Sequence, residues 1–259
     1  MSRSRLTLLL LLTGCGVEPT PEDLDGLIHR LWLSYDAASD AELAETIDAL
    51  YAELGADTLS DAVTGEVSDL TAESLDVVGL SDGRDPTLPR GFSLAYTYPC
   101  TLTDLEPILY HLPQDTLYEG VYDSYDRRYT SDLDAFTARE APQITWSADI
   151  TATLLNKSYF EHIDGGLRYV GDPERPALLG RTVLPEPAAF DDEDWSFDQD
   201  YQLELWVERA PGEIAHLYVI WRHMVLGGLS TEDDGVVNTS LRNMEDWDDR
   251  TAELCAEGL

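Results

Sequence analysis

Histidines and clustered carboxylates are the residue types in this chain that most often carry metal or acid–base chemistry. None of the five histidines has the spacing of an HExxH zinc motif. Glu213 and His216 form a single Glu-x-x-His, whereas a di-iron site needs two such pairs on helices, and this pair lies in a predicted strand. The histidines, which predict no metal centre, are His29, His111, His162, His216 and His223.

A serine near the middle of the chain comes close to a hydrolase motif. The segment Gly91-Phe92-Ser93-Leu94-Ala95 differs from the G-x-S-x-G nucleophile elbow at its last position. That motif places its serine at a sharp turn between a strand and a helix, but Ser93 lies inside an alternating strand pattern. The sequence therefore predicts no catalytic residue, and we interpret the protein as non-enzymatic. A hydrolase that uses two carboxylates is a further hypothesis, although 51 acidic residues do not single out a pair.

One acidic loop is the segment best suited to a divalent cation. It contains Asp191-Asp192-Glu193-Asp194, with Asp198 and Asp200 nearby, and carboxylate oxygens are the ligands that Ca²⁺ prefers. An EF-hand register that starts at Asp192 places Phe197 where the loop requires glycine. We interpret the segment as a solvated loop before a strand. The sequence thus predicts neither a metal site nor a cofactor.

Aromatic side chains offer a second kind of chemistry, because their rings can stack on a ligand or a partner. Trp206 lies between Glu204 and Glu208 on the polar face of an alternating strand. Two interpretations stay open: an exposed ring that stacks on a sugar or a partner, and a ring that packs across strands or under a loop. A tyrosine-rich region precedes it and contains Tyr110, Tyr118, Tyr122, Tyr125 and Tyr129.

Cys15 is the residue whose chemistry the sequence defines best. Arg3 and Arg5 precede the apolar run Leu6–Leu12, and two small residues separate that run from the cysteine. This is the layout of a secretory signal. Seven helical residues span only about 10 Å, far less than the ~30 Å of a bilayer core. The segment Leu12-Thr13-Gly14-Cys15 resembles the lipobox of bacterial lipoproteins.

The lipobox resemblance implies an exported protein that a lipid anchors to a membrane. Residues 1–14 would be removed as a signal peptide, and Cys15 would carry a diacylglyceryl group, often with a further acyl chain such as palmitate. Two buried chains hold a protein stably on a membrane. Residues 15–22 would form a lipidated tether of about 25 Å. Gly16, rather than aspartate, follows the cysteine and favours the outer over the inner membrane of a bacterial envelope, with the protein facing the periplasm or the surface.

The other two cysteines, Cys100 and Cys255, form an even pair in a chain that we expect to be exported. Exported proteins mature in an oxidising compartment. The pair therefore predicts a disulfide. The alternative is a pair of buried thiols.

The charge of the chain restricts its partners. Its 51 acidic and 16 basic residues give a formal net charge of −35, and such a field repels nucleic acids and anionic headgroups. We therefore predict no nucleic-acid partner. A solvated acidic surface is the simplest interpretation, and attraction of cationic partners is the functional one. A hydrophobic fraction of 43% excludes a chain that is disordered throughout.

The mature chain begins with predicted helices. Apolar residues recur at helical spacing over 24–35, and a capping box formed by Ser39 and Glu42 opens a second helix. These elements belong to a helical N-terminal segment, residues 23–80. A linker rich in glycine, proline and aspartate, residues 81–91, joins this segment to the rest of the chain.

From residue 92 the apolar residues change from the period of a helix to the two-residue period of a strand. The pattern predicts a strand, two short helices, six strands and a terminal helix that starts near Ser240. Ile144–Leu154 is the clearest strand, with one polar and one apolar face. Ile214–Val225 is apolar on both faces, so we expect it to be central or sandwiched. The predicted fold class is α+β: N-terminal helices, then a curved antiparallel sheet with a C-terminal helix over residues 92–259.

This order of elements resembles the helix-grip fold of the START and polyketide-cyclase-like superfamily. That resemblance implies a hydrophobic cavity between the curved sheet and the terminal helix. Our leading hypothesis is a membrane-anchored exported lipoprotein that binds a hydrophobic small molecule there without catalysis. The alternative is an envelope scaffold lipoprotein that docks a protein partner and binds no ligand.

Overall fold

A computed structural model describes residues 20–54, 63–81, 83–172 and 175–258. The predicted signal peptide and Cys15 lie outside the described residues, as does most of the tether. Within the described part of the chain, no helix is both long enough and apolar enough to cross a membrane.

The fold is α+β, as predicted, with helices before and after a long antiparallel sheet. The α-helices are α1 (Leu24–Ser34), α2 (Asp40–Leu54), α3 (Ala72–Asp76), α4 (Leu102–Tyr110), α5 (Leu133–Thr137) and α6 (Asp234–Glu257), and a short 3₁₀ helix spans Gln114–Thr116. The strands are β1 (Val63–Val67), β2 (Arg90–Pro99), β3 (Ser124–Tyr129), β4 (Gln143–Leu154), β5 (Lys157–Asp172), β6 (Arg175–Val183), β7 (Ala189–Phe190), β8 (Trp195–Ala210), β9 (Glu213–Leu226) and β10 (Leu229–Ser230).

The described strands form one curved sheet in the order β1-β2-β9-β8-β6-β5-β4-β3, with β7 beside β5 and β10 beside β9. Every pairing is antiparallel. The central strands β8 and β9 carry side chains that point alternately to the two faces of the sheet. Helices α1 and α2 cover the outer face, and α4 and α6 pack on the inner face.

The outer face of the sheet and the N-terminal helices share one apolar core. The ring centroid of Trp32 on α1 lies 5.4 Å from that of Trp221 and 6.1 Å from that of Tyr201, both in edge-on contacts. This layer explains why β9 is apolar on both faces, and it confirms that the strand is sandwiched. Residues buried together at this interface include Leu27, Leu31, Leu43, Ile47, Leu50, Leu203, Leu205, Leu217 and Val219.

Local signals in the sequence place both N-terminal helices. The Asp23 carboxylate accepts a hydrogen bond of 2.7 Å from the Gly26 amide and caps α1. At α2, the Ser39 amide donates to the Glu42 carboxylate at 2.9 Å, and the Glu42 amide donates to the Ser39 hydroxyl at 3.4 Å. These two bonds are the predicted capping box.

Two arginines on the outer face fasten the loop between α1 and α2 to the sheet. Arg168 of β5 donates to the Tyr35 carbonyl at 2.6 Å and to the Asp40 carboxylate at 2.7 Å. Arg181 of β6 pairs with Asp36, and its guanidinium carbon lies 4.3 Å from the centroid of the Tyr35 ring. The helices are therefore held to the sheet by charge-assisted bonds as well as by apolar contact.

Three boundaries differ from the prediction. Residues 63–67 form β1 although they belong to the segment predicted as helical, because they pair with β2 along one edge of the sheet. Strand β2 begins at Arg90, inside the predicted linker. Helix α6 begins at Asp234 rather than near Ser240. The carboxylate of Asp234 lies in the first turn of this helix, where the helix dipole stabilises it.

Cys100 follows β2 directly, and Cys255 lies in the last turns of α6. Their sulfur atoms are 2.08 Å apart, at bonding distance, which supports the predicted disulfide. The bridge ties the end of the terminal helix to the end of a strand next to β9.

Candidate functional site

A cavity of about 210 Å³ lies between the inner face of the sheet and α6. An apolar cavity of about 150 Å³ is large enough to bind benzene, so this one suits a molecule with a single ring or a short chain. Its wall is mixed. The apolar lining includes Ile150, Ile163, Leu167, Ile220 and Met244, and the polar lining includes Glu161, Glu204, Arg127, Arg222, Tyr122, Tyr159 and Tyr218.

The two-residue period of the central strands sets the order of groups on the wall. Along β8, Gln202, Glu204 and Trp206 face inward. In the register of the sheet, Glu204 lies opposite Tyr218 of β9, so both side chains reach the same part of the wall. Helix α6 closes the cavity with Trp247 and with residues one turn before it.

Trp206 is buried, with 2% of its surface exposed. Its ring stacks on His216 with centroids 4.7 Å apart and planes 4° from parallel. The interpretation of Trp206 as an exposed stacking residue is therefore wrong, and the alternative, cross-strand packing, is right. The polar face of β8 looked solvated in the sequence because Glu204 flanks Trp206, but that face lines an interior cavity.

His216 joins β8, β9 and α6 beside the cavity. Its Nδ1 lies 2.7 Å from Oδ1 of Asp248 on α6, and its Nε2 lies 3.8 Å from Oε2 of Glu204. Both members of the His216–Asp248 pair have fully buried side chains. Burial raises the pKa of Asp248, and the adjacent His216 partly opposes that rise.

The Glu-x-x-His pair of the sequence does not come together. Glu213 and His216 are three residues apart in β9, and residues at odd spacing along a strand point to opposite faces. Glu213 instead lies 3.6 Å from Arg209. The chemical partners of His216 are therefore Asp248 and Glu204, which no sequence spacing links to it.

Two interior carboxyls, Glu161 of β5 and Glu204 of β8, are the most perturbed acids of the cavity. The pKa of Glu161 is raised to about 8, chiefly by burial and also by the nearby Asp200, against a lowering by Arg222. Burial also raises the pKa of Glu204 to about 7, against a lowering by His216. Because desolvation penalises the charged form, both carboxyls stay protonated at pH values well above the usual pKa of a glutamate.

The two arginines of the wall have partners of their own. Arg222 donates two hydrogen bonds to the Asp200 carboxylate, from Nε to Oδ1 at 2.9 Å and from Nη2 to Oδ2 at 3.2 Å. Arg127 donates to the Leu109 carbonyl at 2.7 Å and to the Tyr125 hydroxyl at 3.1 Å. The Arg127 guanidinium also lies over the rings of Tyr125 and Trp146, at 5.1 and 4.8 Å from their centroids.

Tyrosines supply neutral polar groups around the carboxyls. Burial raises the pKa of Tyr122, Tyr159 and Tyr218, so all three stay protonated. The Tyr218 hydroxyl donates to Gln202 at 2.8 Å. The tyrosine-rich region noted in the sequence thus contributes Tyr122 and Tyr125 to this wall.

The remaining candidate residues lie apart from the cavity. Ser93 is buried within β2 rather than at a turn between a strand and a helix. In the acidic loop, Asp192 pairs with Lys157 and accepts a bond of 3.0 Å from the Asp194 amide. Among the residues that the structure describes, no group of three or more histidines, cysteines or acids is placed to hold a metal ion.

No protein-family model and no curated protein matches this sequence. Solved structures with a similar architecture include human STARD10, at 10% identity and a TM-score of 0.48 over 87% of this chain and 84% of that chain. The human StarD13 lipid transfer and protein localization domain has 9% sequence identity and a TM-score of 0.43, over 77% of this chain and 85% of that chain. A START superfamily protein from Mycobacterium smegmatis has 9% sequence identity and a TM-score of 0.41, over 64% of this chain and 97% of that chain.

Proposed function

We propose that this protein is an exported, membrane-anchored binding protein that holds a small amphipathic molecule under α6. The observation that carries the proposal is the cavity of about 210 Å³ between sheet and helix. Pockets for drug-sized ligands occupy about 300–1,000 Å³, so the ligand here is smaller. The mixed wall favours a molecule with both an apolar body and a polar group, rather than the purely hydrophobic ligand that the sequence favoured.

A substitution that fills the cavity is expected to abolish binding. Ile150 faces the cavity from β4, so Ile150→Trp adds volume where the ligand would lie. Thr151→Trp is the matched control, because the next residue of the strand points to the opposite face. Native mass spectrometry of the chain, made with Cys15→Ser to block lipidation, measures bound small molecules directly.

We expect one small molecule per chain in the parent protein and in the Thr151→Trp variant, and none in Ile150→Trp. Circular dichroism checks that both variants fold. Parent protein that carries no small molecule, and takes up none from a panel of one-ring amphiphiles, would contradict the proposed function.

The anchor is proposed from the lipobox resemblance of Leu12-Thr13-Gly14-Cys15. Cys15→Ser removes the thiol that would take the lipid, so the protein is expected to move from the membrane fraction to the soluble fraction. Mass spectrometry of the parent N-terminal peptide should show cleavage before Cys15 and a mass increase from acyl chains. An unmodified Cys15 in membrane-derived protein would rule out the anchor.

A hydrolase that uses two carboxylates is the third hypothesis. Glu161 and Glu204 both line the cavity, and burial raises the pKa of each. The sheet register places Glu204 level with Leu167 of β5, six residues from Glu161, which is farther than the two carboxyls of a glycoside hydrolase stand apart. An enzyme would convert its ligand, whereas a binding protein releases it unchanged. Recovery of intact ligand after prolonged incubation supports the binding function; stoichiometric pull-down of an envelope protein without ligand would support the scaffold hypothesis.

A further inference from the structure

Arg127 of β3 brings a positive charge to the wall of the cavity without a carboxylate to neutralise it. It donates to the Leu109 carbonyl and the Tyr125 hydroxyl, both neutral, and no carboxylate of the described residues forms an ion pair with it. Arg222, the other arginine of the wall, is paired with Asp200. A chain with 51 acidic and 16 basic residues thus keeps one interior cation without a counter-ion.

Two neighbouring N–H groups of this wall have no acceptor. Nε of Arg127 and Nε1 of Trp146 are both buried, and neither has a hydrogen-bond partner. The Arg127 guanidinium carbon lies 4.8 Å from the centroid of the Trp146 ring, and that ring lies over Gly165, where a Cβ would come within 2.6 Å of it. Buried donors almost always have partners, and buried charges are normally paired. An anionic acceptor would meet both requirements.

The sheet register places an apolar surface beside this charge. Arg127 lies opposite Ala148 of β4, and Ala148 lies opposite Ile163 of β5. Because neighbouring strands are about 4.8 Å apart, Ile163 is about 10 Å from the arginine strand, with only the small side chain of Ala148 between them. Ile150, two residues along β4, lines the same cavity. A ligand with an anionic group at Arg127 would therefore have its apolar body against the two isoleucines.

The negative charges of the protein do not prevent an anion from binding here. The pKa of Glu204 is raised to about 7 and that of Glu161 to about 8, chiefly by burial, so both carboxyls are largely protonated at pH 6. The net charge of −35 repels anions at a distance, but exposed charges more than about 8 Å away are screened at physiological ionic strength. A pair inside the cavity is screened much less.

We infer that the cavity binds a small monocarboxylate, with its carboxylate at Arg127 and Trp146 and its apolar body along Ile150 and Ile163. The inference rests on the proposed function, since it names the chemical class of the cavity ligand. The volume of about 210 Å³ limits that acid to one ring or a short chain.

Three probes of similar shape test the inference by titration calorimetry on the full chain with Cys15→Ser: 3-phenylpropanoate, 3-phenylpropanamide and 3-phenylpropylamine. At about pH 6 the first is an anion, the second is neutral and the third is a cation. We expect the propanoate to bind at least about tenfold more tightly than the amide. The amine is expected to bind most weakly. Ile150→Trp, which fills the cavity, should bind none of the three.

Substitutions at two adjacent arginines separate recognition of the carboxylate from the general charge. Arg127→Met keeps the apolar stem and should lose at least about tenfold in propanoate affinity, with the amide affinity nearly unchanged. Arg128→Met is the matched control, because Arg128 is exposed, pairs with Asp126 and Asp149, and carries the same charge. It should keep the preference for the propanoate.

Circular dichroism checks that each variant folds. If Arg127→Met does not fold, Trp146→Phe replaces it as the decisive variant, because phenylalanine keeps a ring beside the guanidinium and removes the Nε1 donor. That variant should lose about threefold or more in propanoate affinity and keep its affinity for the amide.

The outcomes distinguish the two proposals. The carboxylate inference is wrong, and the cavity remains a binding site, if the amide or the amine binds as tightly as the propanoate. It is also wrong if Arg128→Met weakens the propanoate as much as Arg127→Met, or if Ile150→Trp still binds it. If no probe binds the parent chain, the inference is overturned, whereas the proposed function fails only if native mass spectrometry also finds no small molecule.

Discussion

The double variant Glu161→Gln/Glu204→Gln is expected to be more stable than the parent chain at about pH 9 and of equal stability near pH 4. Burial raises the pKa of Glu161 to about 8 and that of Glu204 to about 7 in the folded protein. In an unfolded chain, the pKa of a glutamate is about 4.3. The folded state therefore binds more protons than the unfolded state between these values. Its stability falls as the pH rises through that interval.

The size of the effect follows from the gap between the folded and unfolded pKa values. One pKa unit corresponds to about 1.4 kcal/mol, so Glu204 alone destabilises the ionised protein by about 3 kcal/mol. Glutamine stays neutral at every pH and removes this penalty. We expect the double variant to gain at least about 3 kcal/mol at pH 9.

Urea unfolding from about pH 4 to pH 9 measures this difference as a shift of the midpoint at constant m-value. The exposed pair Glu186→Gln/Glu193→Gln is the control, since it removes the same number of negative charges and relieves general repulsion equally. A gain in the cavity variant that is no larger than in the control, or is as large at pH 4 as at pH 9, would show that the carboxyls titrate normally.

Removal of the disulfide is the second change with a large expected effect. Cys100 and Cys255 are 155 residues apart, and a loop of that length restricts the unfolded chain by up to about 5 kcal/mol in the chain-entropy model. The variant Cys100→Ser/Cys255→Ser should lose about 3–5 kcal/mol. The loss should be greatest in the last turns of α6, which the bridge holds against the sheet.

Urea unfolding of the Cys15→Ser chain, with and without reductant, gives the comparison. Reduced parent protein should match the serine variant, and the serine variant should not respond to reductant. Hydrogen exchange should speed up in the C-terminal half of α6 before the central strands. Alkylation of two free cysteines in unreduced protein would show that the bridge does not form.

Much of the fold was predictable because its elements carry strong local signals. The strand Ile144–Leu154 alternates without interruption and was predicted to within a residue of β4. Ser39 and Glu42 form the capping box that the sequence predicts. The two apolar faces of β9 indicated a sandwiched strand, and α1 and α6 lie on its opposite sides.

The cavity could not be predicted from the same kinds of signal. Alternation shows that Glu204 and Trp206 share a face of the strand. It does not distinguish a face exposed to solvent from a face that lines an interior cavity with polar groups. Glu204, His216 and Asp248 come from β8, β9 and α6, which only the tertiary fold brings together. Strand β1 was missed for a related reason, since its pairing partner β2, rather than its own composition, makes it a strand.

The covering of the outer face by α1 and α2 has a consequence for the order in which the chain can fold. These helices are synthesised first, yet the residues that bury Trp32, namely Tyr201 and Trp221, are synthesised nearly last. Contacts between such distant segments form slowly, and short helices are marginal without packing. We therefore expect the N-terminal segment to stay open until β9 is complete, so that a chain still on the ribosome keeps its first helices unfolded.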